Sequence, residues 1–520
     1  MASICLNEDN SNFAMSFPWS EMTVEGLKRQ ARAYATGQVS RIIYCVNAQR
    51  SSFPSTTMEP IWKGVECHDD GSITFEGKPL NSKSMEKTIL RLKTMFDQGI
   101  DPYAIWVEET RRLGREAWLS IRMNDMHDAL VEDSVMHDKF WREHKEFRIS
   151  TYDENSWTGK GYDYAHEEVR KYQLNFLREV LERYDTDGIE LDWSRFPQQL
   201  RAGFEMMDAH FLTDFHRQAK ALIHEFAQKR GHELKIGVRL PSRPELAMRH
   251  GFEINALRDE RLVDAVVVTN FFPTTDSDMP IELWRDILGK EIELDAGLEF
   301  GVQSDPYSPF MLATVETALG YACEYLYRGA DRIYLFNYMR GLTGMHDVAA
   351  LQKLLANGGA PETAYPMKRR HVVSFCQTNY VSLDIRPILP LDVDNRNFQQ
   401  LRINVGGGTD GHDAKLLLAF REEDGRPPLE LRINGTPCHE TKLPKIIVRG
   451  GVGTVLEGTL ISCDPTAAMT TDELAMPGHV KNLRYFQIPA GALHDGENCI
   501  QIRISNETKA QIVWTEVDLR

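Results

Sequence analysis

The segment Asp187-Gly-Ile-Glu-Leu-Asp-Trp193 places carboxylates at 187, 190 and 192, the last two separated by one leucine. Side chains alternate along a strand, so Glu190 and Asp192 would share one face with Gly188, while Ile189 and Leu191 share the other. Inward carboxylates are costly unless they are paired or used. Asp192, at the end of the run, is therefore expected to carry chemistry. Glu190, one layer deeper, is expected in an ion network with Arg122 or Arg239. A further run, Gly297-Leu-Glu299-Phe-Gly301, ends on Glu299. Two such carboxylates could act together on an acetal, one attacking or stabilising the anomeric carbon and the other protonating the leaving oxygen.

Polar residues at the ends of other apolar runs complete the candidate set. Arg122 and Asn124 share a face, and Asp125, His127 and Asp128 follow them. Asn47, Arg239, Asn270 and Asn337 also stand at run ends and could hold hydroxyls, with Glu190 below them. Trp193, Phe271, Phe272 and Tyr338 offer ring faces for stacking. His127 and Asp128 leave a metal-dependent hydrolase or lyase open as an alternative. No His-x-His accompanies them, so no metal and no other cofactor is expected.

Short β-branched runs alternate with amphipathic stretches from residue 24 to about 377. The expected strands are Arg41–Val46, Ala117–Arg122, Gly188–Trp193, Lys235–Leu240, Ala265–Asn270, Ile292–Phe300, Arg332–Tyr338 and His371–Cys376. Eight strands interleaved with helices predict a (β/α)8 TIM barrel, whose chemistry sits at the C-terminal strand ends. The first two intervals are long enough to hold insertions or an unrecognised strand. Beyond residue 378 the texture changes to short alternating strands such as Asn498–Ser505, which predict an all-β sandwich. The expected domains are thus a barrel over 1–378 and a C-terminal sandwich over 379–520.

The 520 residues carry a net charge of −16, with the excess spread along the chain and no basic stripe. That argues against nucleic acid as a partner and suits a neutral or cationic small substrate. None of the eight cysteines forms a C-x-x-C pair, and several lie in apolar runs, so buried thiols are expected. No apolar run reaches membrane-span length, and the N-terminal segment reads as neither signal peptide nor anchor. A cytoplasmic protein is expected, or a secreted one whose leader has been removed. A carbohydrate substrate and no membrane partner complete the expectation, with homo-oligomerisation open.

The stretch DGIELDWSRFP, Asp187–Pro197, resembles a strand motif of the bacterial family 10-like glycosyl hydrolase group, D-G-(I/V)-x-L-D-(Y/F)-x-R-(Y/F)-P. It is more distantly similar to the alpha-galactosidase clan. SIRMNDMHD (Ser120–Asp128) and DRIYLFNYM (Asp331–Met339) have the same general look. The resemblance implies a glycoside hydrolase in which Asp192 is the nucleophile. The acid/base would come from a later strand, where Glu299 replaces the clan's usual Asp. Against the family 18 chitinase motif D-G-x-D-x-D-x-E, Glu190 stands for the second Asp and Ser194 for the terminal Glu. A chitinase mechanism of that type is therefore not expected. The same missing Glu motivates a second alternative, a non-catalytic carbohydrate-binding protein on a degenerate barrel.

Overall fold

A computed structural model describes residues 3–80, 82–149, 156–271, 274–339, 348–377, 385–449 and 473–520, with two short strands at 455–456 and 459–460. Eight parallel strands close into a barrel: β1 (Ser3–Glu8), β2 (Val39–Cys45), β3 (Glu116–Arg122), β4 (Gly188–Asp192), β5 (Lys235–Pro241), β6 (Ala265–Thr269), β7 (Glu293–Glu299) and β8 (Arg332–Phe336). Helices such as Glu167–Arg183, Glu205–Arg230 and Val315–Arg328 wrap the outside. This is the expected (β/α)8 barrel, with one correction to its membership. The first strand is Ser3–Glu8, which pairs with both β2 and β8. His371–Cys376 is not a barrel strand; its first residues belong to β9 (Arg369–Val372), which pairs antiparallel with a C-terminal strand. The long intervals after β2 and β3 do hold insertions. One carries a three-stranded meander over Val65–Cys67, Ile73–Phe75 and Lys78–Pro79, and the extra helix Lys83–Asp97.

The register stacks the inward residues in layers. Trp118 opposes Gly188, Ser120 opposes Glu190 and Arg122 opposes Asp192. On the other side, Glu190 opposes Gly237 and Asp192 opposes Arg239. Cys5, Ile43, Trp118, Ala265, Val267, Tyr334 and Phe336 form an apolar cluster of their own. Trp118 fits there because its neighbours lack side chains. A Cβ on Gly188 would lie 2.3 Å from the indole, and one on Gly237 2.9 Å from it. Gly188→Ala is expected to destabilise the fold by about 1–3 kcal/mol through overpacking. Urea denaturation would measure this, and a Trp118→Leu change in the same chain should recover part of the loss.

Two antiparallel sheets make up most of the C-terminal region, beside a parallel pair of Lys445–Arg449 with Glu473–Pro477 and a short hairpin of 455–456 with 459–460. One contains β9, β10 (Leu391–Val393), β12 (Ala414–Phe420), β14 (Leu483–Gln487) and β16 (Ala510–Leu519). The other contains β11 (Gln399–Asn404), β13 (Leu429–Ile433) and β15 (Glu497–Ile504). Ile500, Ile502 and Ile504 meet Leu416, Leu418 and Phe420 in the core between the sheets. The alternate residues Leu417 and Ala419 join the barrel's core instead. Strand β12 is thus apolar on both faces, and the sandwich is docked on the barrel through its inner sheet. Of the cysteines, Cys5, Cys45, Cys323, Cys376 and Cys438 are buried thiols, Cys67 is exposed and Cys499 half-buried; Cys463 lies outside the described residues. Among the described residues no helix is long and apolar enough to cross a membrane.

Candidate active site

The C-terminal ends of β3, β4, β5 and β7 bring Arg122, Asp192, Arg239 and Glu299 together, as the alternation of each strand dictates. Oδ1 of Asp192 accepts three hydrogen bonds, from the backbone N–H groups of Ser194 (3.1 Å) and Arg195 (2.9 Å) and from Arg239 Nε (2.9 Å). Nη1 of the same Arg239 lies 3.9 Å from Glu299 Oε1. Its guanidinium stacks on Phe336, 3.9 Å from the ring centre. One cation therefore stands between the two carboxylates.

The carboxylates differ in how they are held. Glu299 accepts a long hydrogen bond (3.3 Å) from the Thr269 hydroxyl. Burial pushes its pKa up to about 7; Arg239 and Arg195 pull the other way, and the charge of Asp192 adds to the rise. One layer below, Glu190 accepts from Ser120 (2.7 Å) and Tyr334 (3.1 Å). Burial and the neighbouring Asp192 raise its pKa. Its expected ion-pair partners, Arg122 and Arg239, make no direct contact with it, so it acts as a hydrogen-bonded buried acid and not as half of a salt bridge. Among the buried polar atoms without a hydrogen-bond partner are Glu190 Oε2, Ser194 Oγ, Arg195 Nε, Arg239 Nη1 and Glu299 Oε2.

Above this layer opens a cavity of about 310 Å³, with Asp9, Arg50, Arg122, His127, Arg195 and Asn337 among its walls. Arg122 spans it, bonding Asp9 through Nη2 and Asp125 (3.2 Å) through Nη1. Burial opposes ionisation of Asp9, but Arg122, Ser11 and Arg195 outweigh it and bring its pKa to about 2. Asp125 is likewise held low: burial opposes, and His127, Arg122 and Arg195 prevail. His127 Nδ1 is 2.7 Å from Asp125 Oδ1, and its Nε2 is 3.0 Å from Arg195 Nη2. A guanidinium only donates, so Nε2 accepts and Nδ1 carries the proton toward Asp125. A second cavity of about 570 Å³ shares Met85, His127 and Met136 with the first and runs toward the meander. The backbone is strained around this mouth. Asp128, Phe196 and Asn337 adopt φ of +56°, +67° and +58° without being glycine, which costs about 1–3 kcal/mol each and clusters at working sites.

Several expected substrate contacts are turned elsewhere. The Asn47 amide donates to the carbonyls of Ala48 (2.6 Å) and Arg122 (3.1 Å) and accepts from Arg122 N–H (3.0 Å). Asn124 clamps Tyr162 and Gln198 through three backbone bonds. Asn270 does the same for Thr274, Phe375 and Gln377. These amides splice loops together, both N–H donors of each being spent on backbone carbonyls. Trp193 points away from Asp192, donates to His216 (3.1 Å) and packs against Tyr164, Phe215 and Phe252. It is core and not a stacking platform. Tyr338 is buried with its hydroxyl donating to the Glu299 carbonyl (3.0 Å). Asp128 accepts from Ser134 (2.8 Å) and lines the second cavity together with His127. Among the described residues no three His, Cys, Asp or Glu side chains gather as a metal site. Phe272 lies outside the described residues, while Phe271 packs with Trp157 and Phe196 beside the mouth.

Sequence reasoning missed Asp9, Arg50 and Arg195. Asp9 follows a strand whose residues are all buried, SICLNE, and which shows no alternation of polar and apolar residues. Arg195 stands in the quoted 187–197 motif, and its type and distance from Asp192 could have marked it.

No protein-family model matches this chain, and no curated protein matches it. Solved structures that align with this chain include a maltogenic alpha-amylase from Thermotoga neapolitana, at 12% identity and TM-score 0.36 over 71% of this chain and 79% of that one. A family 18 N-acetylglucosaminidase from Paenibacillus barengoltzii aligns at 9% identity and TM-score 0.37, over 69% of this chain and 100% of its own. The PgaB glycoside hydrolase domain from Bordetella bronchiseptica aligns at 9% identity and TM-score 0.41, over 68% and 99%. These structural neighbours are glycoside hydrolases by name; at such identities they speak to neither reaction nor residues.

Proposed function

We propose that this chain is a glycoside hydrolase, with Asp192 as nucleophile or stabiliser of the anomeric carbon and Glu299 as the acid that protonates the leaving oxygen. The observation that carries the reading is the pair flanking Arg239. Asp192 Oδ1 takes three donors, a setting that suits a carboxylate, while Glu299 holds its proton up to about pH 7 and keeps Oε2 unbonded. Two carboxylates in unequal environments are the requirement of acid-assisted glycoside cleavage. The more distant resemblance of Asp187–Pro197 to the alpha-galactosidase clan, in which a strand-end Asp followed by an aromatic is the nucleophile, supports the role given to Asp192. The test is a product-resolved screen of aryl glycosides and oligosaccharides. Glu299 must be protonated to act, so the rate is expected to fall as pH rises through about 7. Glu299→Gln should abolish that limb and slow poor leaving groups far more than aryl ones. A rate that stays flat to pH 9 would remove Glu299 from the acid role.

One observation favours a second reading, a sugar-binding barrel without turnover. Neither Asp192 nor Glu299 is among the walls of the 310 Å³ cavity, and both are at most 2% exposed. Saturable binding of an oligosaccharide with no product formed would select that reading.

A further inference from the structure

Three arginines line the cavity at the barrel mouth, and they differ in how far their donors are spent. Arg50 gives Nη1 to the Val135 carbonyl (3.1 Å) and Nη2 to the Lys63 carbonyl (2.7 Å). Arg122 gives its two Nη groups to Asp125 and Asp9. Among the described residues Arg195 makes one side-chain hydrogen bond, from Nη2 to His127 (3.0 Å). Its Nε is buried without an acceptor, and among the described residues no carboxylate lies within 4 Å of its guanidinium. Burial and repulsion from Arg122 lower its pKa, Asp125 and Asp9 oppose this, and Arg239 adds to the lowering. Asp9 and Asp125 act on Arg195 only from beyond ion-pair distance, and both pair directly with Arg122. The Asp9 carboxylate is already occupied by Ser11 and Arg122, and that of Asp125 by His127 and Arg122.

The guanidinium is also held in place. Asp125 orients His127, His127 accepts from Arg195, and Phe196 and Phe271 lie 5.4 and 6.0 Å from its central carbon. A fixed fork of unused N–H donors on a cavity wall is the arrangement that recognises carboxylate or sulfate oxygens, for which charge-assisted bonds are about twice as strong as neutral ones.

We propose that the cavity receives a sugar bearing an anionic substituent, a uronic carboxylate or a sulfate ester, and that Arg195 is the residue that recognises it. This rests on the carbohydrate reading above and narrows its substrate class. Asp125 and His127 are positioning residues for Arg195.

The test is calorimetric titration of the full chain with oligogalacturonate, a sulfated galactan oligosaccharide and a neutral galacto-oligosaccharide, at fixed salt. At least one anionic ligand is expected to bind tenfold or more tightly than the neutral one, and which of the two does so identifies the substituent. Arg195→Gln should weaken that binding by about 10- to 100-fold and so remove the preference over the neutral ligand, while Arg195→Lys should retain part of the preference. Equal affinity for neutral and anionic ligands, binding of neither anion, or an Arg195→Gln profile like the wild type would each overturn the proposal. Should Arg195→Gln unfold, the wild-type preference and the Arg195→Lys variant decide alone. Hydrolysis, measured separately, keeps the two readings apart. Arg195-dependent binding without turnover would sink the catalytic reading and leave this one standing. Neutral glycosides cleaved equally by wild type and Arg195→Gln would do the reverse.

Discussion

Asp192→Asn is expected to lower kcat/KM by about 10³-fold or more toward whichever glycoside the wild type cleaves. Asparagine keeps the Oδ1 acceptor for Ser194, Arg195 and Arg239, so the strand-end geometry persists. The negative charge does not. Arg239 is 1% exposed and would then have Glu299, 3.9 Å away, as its nearest carboxylate. Loss of repulsion from Asp192 should also let Glu299 ionise at lower pH, because that repulsion contributes to its raised pKa. Residual activity should therefore lose its basic limb at lower pH than in the wild type. Steady-state kinetics against pH, with circular dichroism to confirm folding, measures both effects. Wild-type turnover in a folded Asp192→Asn chain would exclude Asp192 from the reaction.

Glu516→Ala should cost about 3–5 kcal/mol of stability, the usual consequence of breaking a buried ion pair from one side. Arg370 Nε and Nη2 grip Glu516 at 2.9 and 2.7 Å, Trp514 donates to the same carboxylate at 2.8 Å, and Arg370 Nη1 reaches the Ala475 carbonyl at 2.9 Å. Both partners are at most 2% exposed. Removing Glu516 leaves the buried Arg370 guanidinium between β9 and β16 without its carboxylate. A paired Arg370→Met and Glu516→Leu replacement should recover most of the loss, since apolar side chains of similar volume commonly substitute for a buried pair without penalty. Chemical denaturation of the three variants measures this. A loss under about 1 kcal/mol for Glu516→Ala would mean that the carboxylate is hydrated in solution.

Strand β9 belongs to the C-terminal sheet and not to the barrel that its residues predict. His371–Cys376 reads as a buried apolar run, and a run of that kind has no mark saying which sheet it joins. Its partner strand lies more than a hundred residues downstream, at Glu516–Leu519. Strand β1 is masked in the sequence by the opposite property. Glu8 and Asn7 make SICLNE look polar, yet Asn12, Gln30 and Tyr34 hydrogen-bond the Glu8 carboxyl and let it be buried. Burial leaves that carboxyl with a pKa of about 8.

What the residues determine by themselves is local and periodic. Two-residue alternation sets which face of each strand points inward, so Asp192, Arg239 and Glu299 can be placed at the mouth before any tertiary contact is known. The repeat of strand and helix sets the barrel. Tertiary structure decided which polar groups remain available there. Asn47, Asn124 and Asn270 are consumed by loop carbonyls and N–H groups. Arg195, with its donors only partly spent, and Asp9, carried in by a strand from the far end of the chain, line the cavity instead. The physical reason is that alternation is a property of one segment, whereas hydrogen-bond competition at a barrel rim is settled among segments brought together only when the barrel closes.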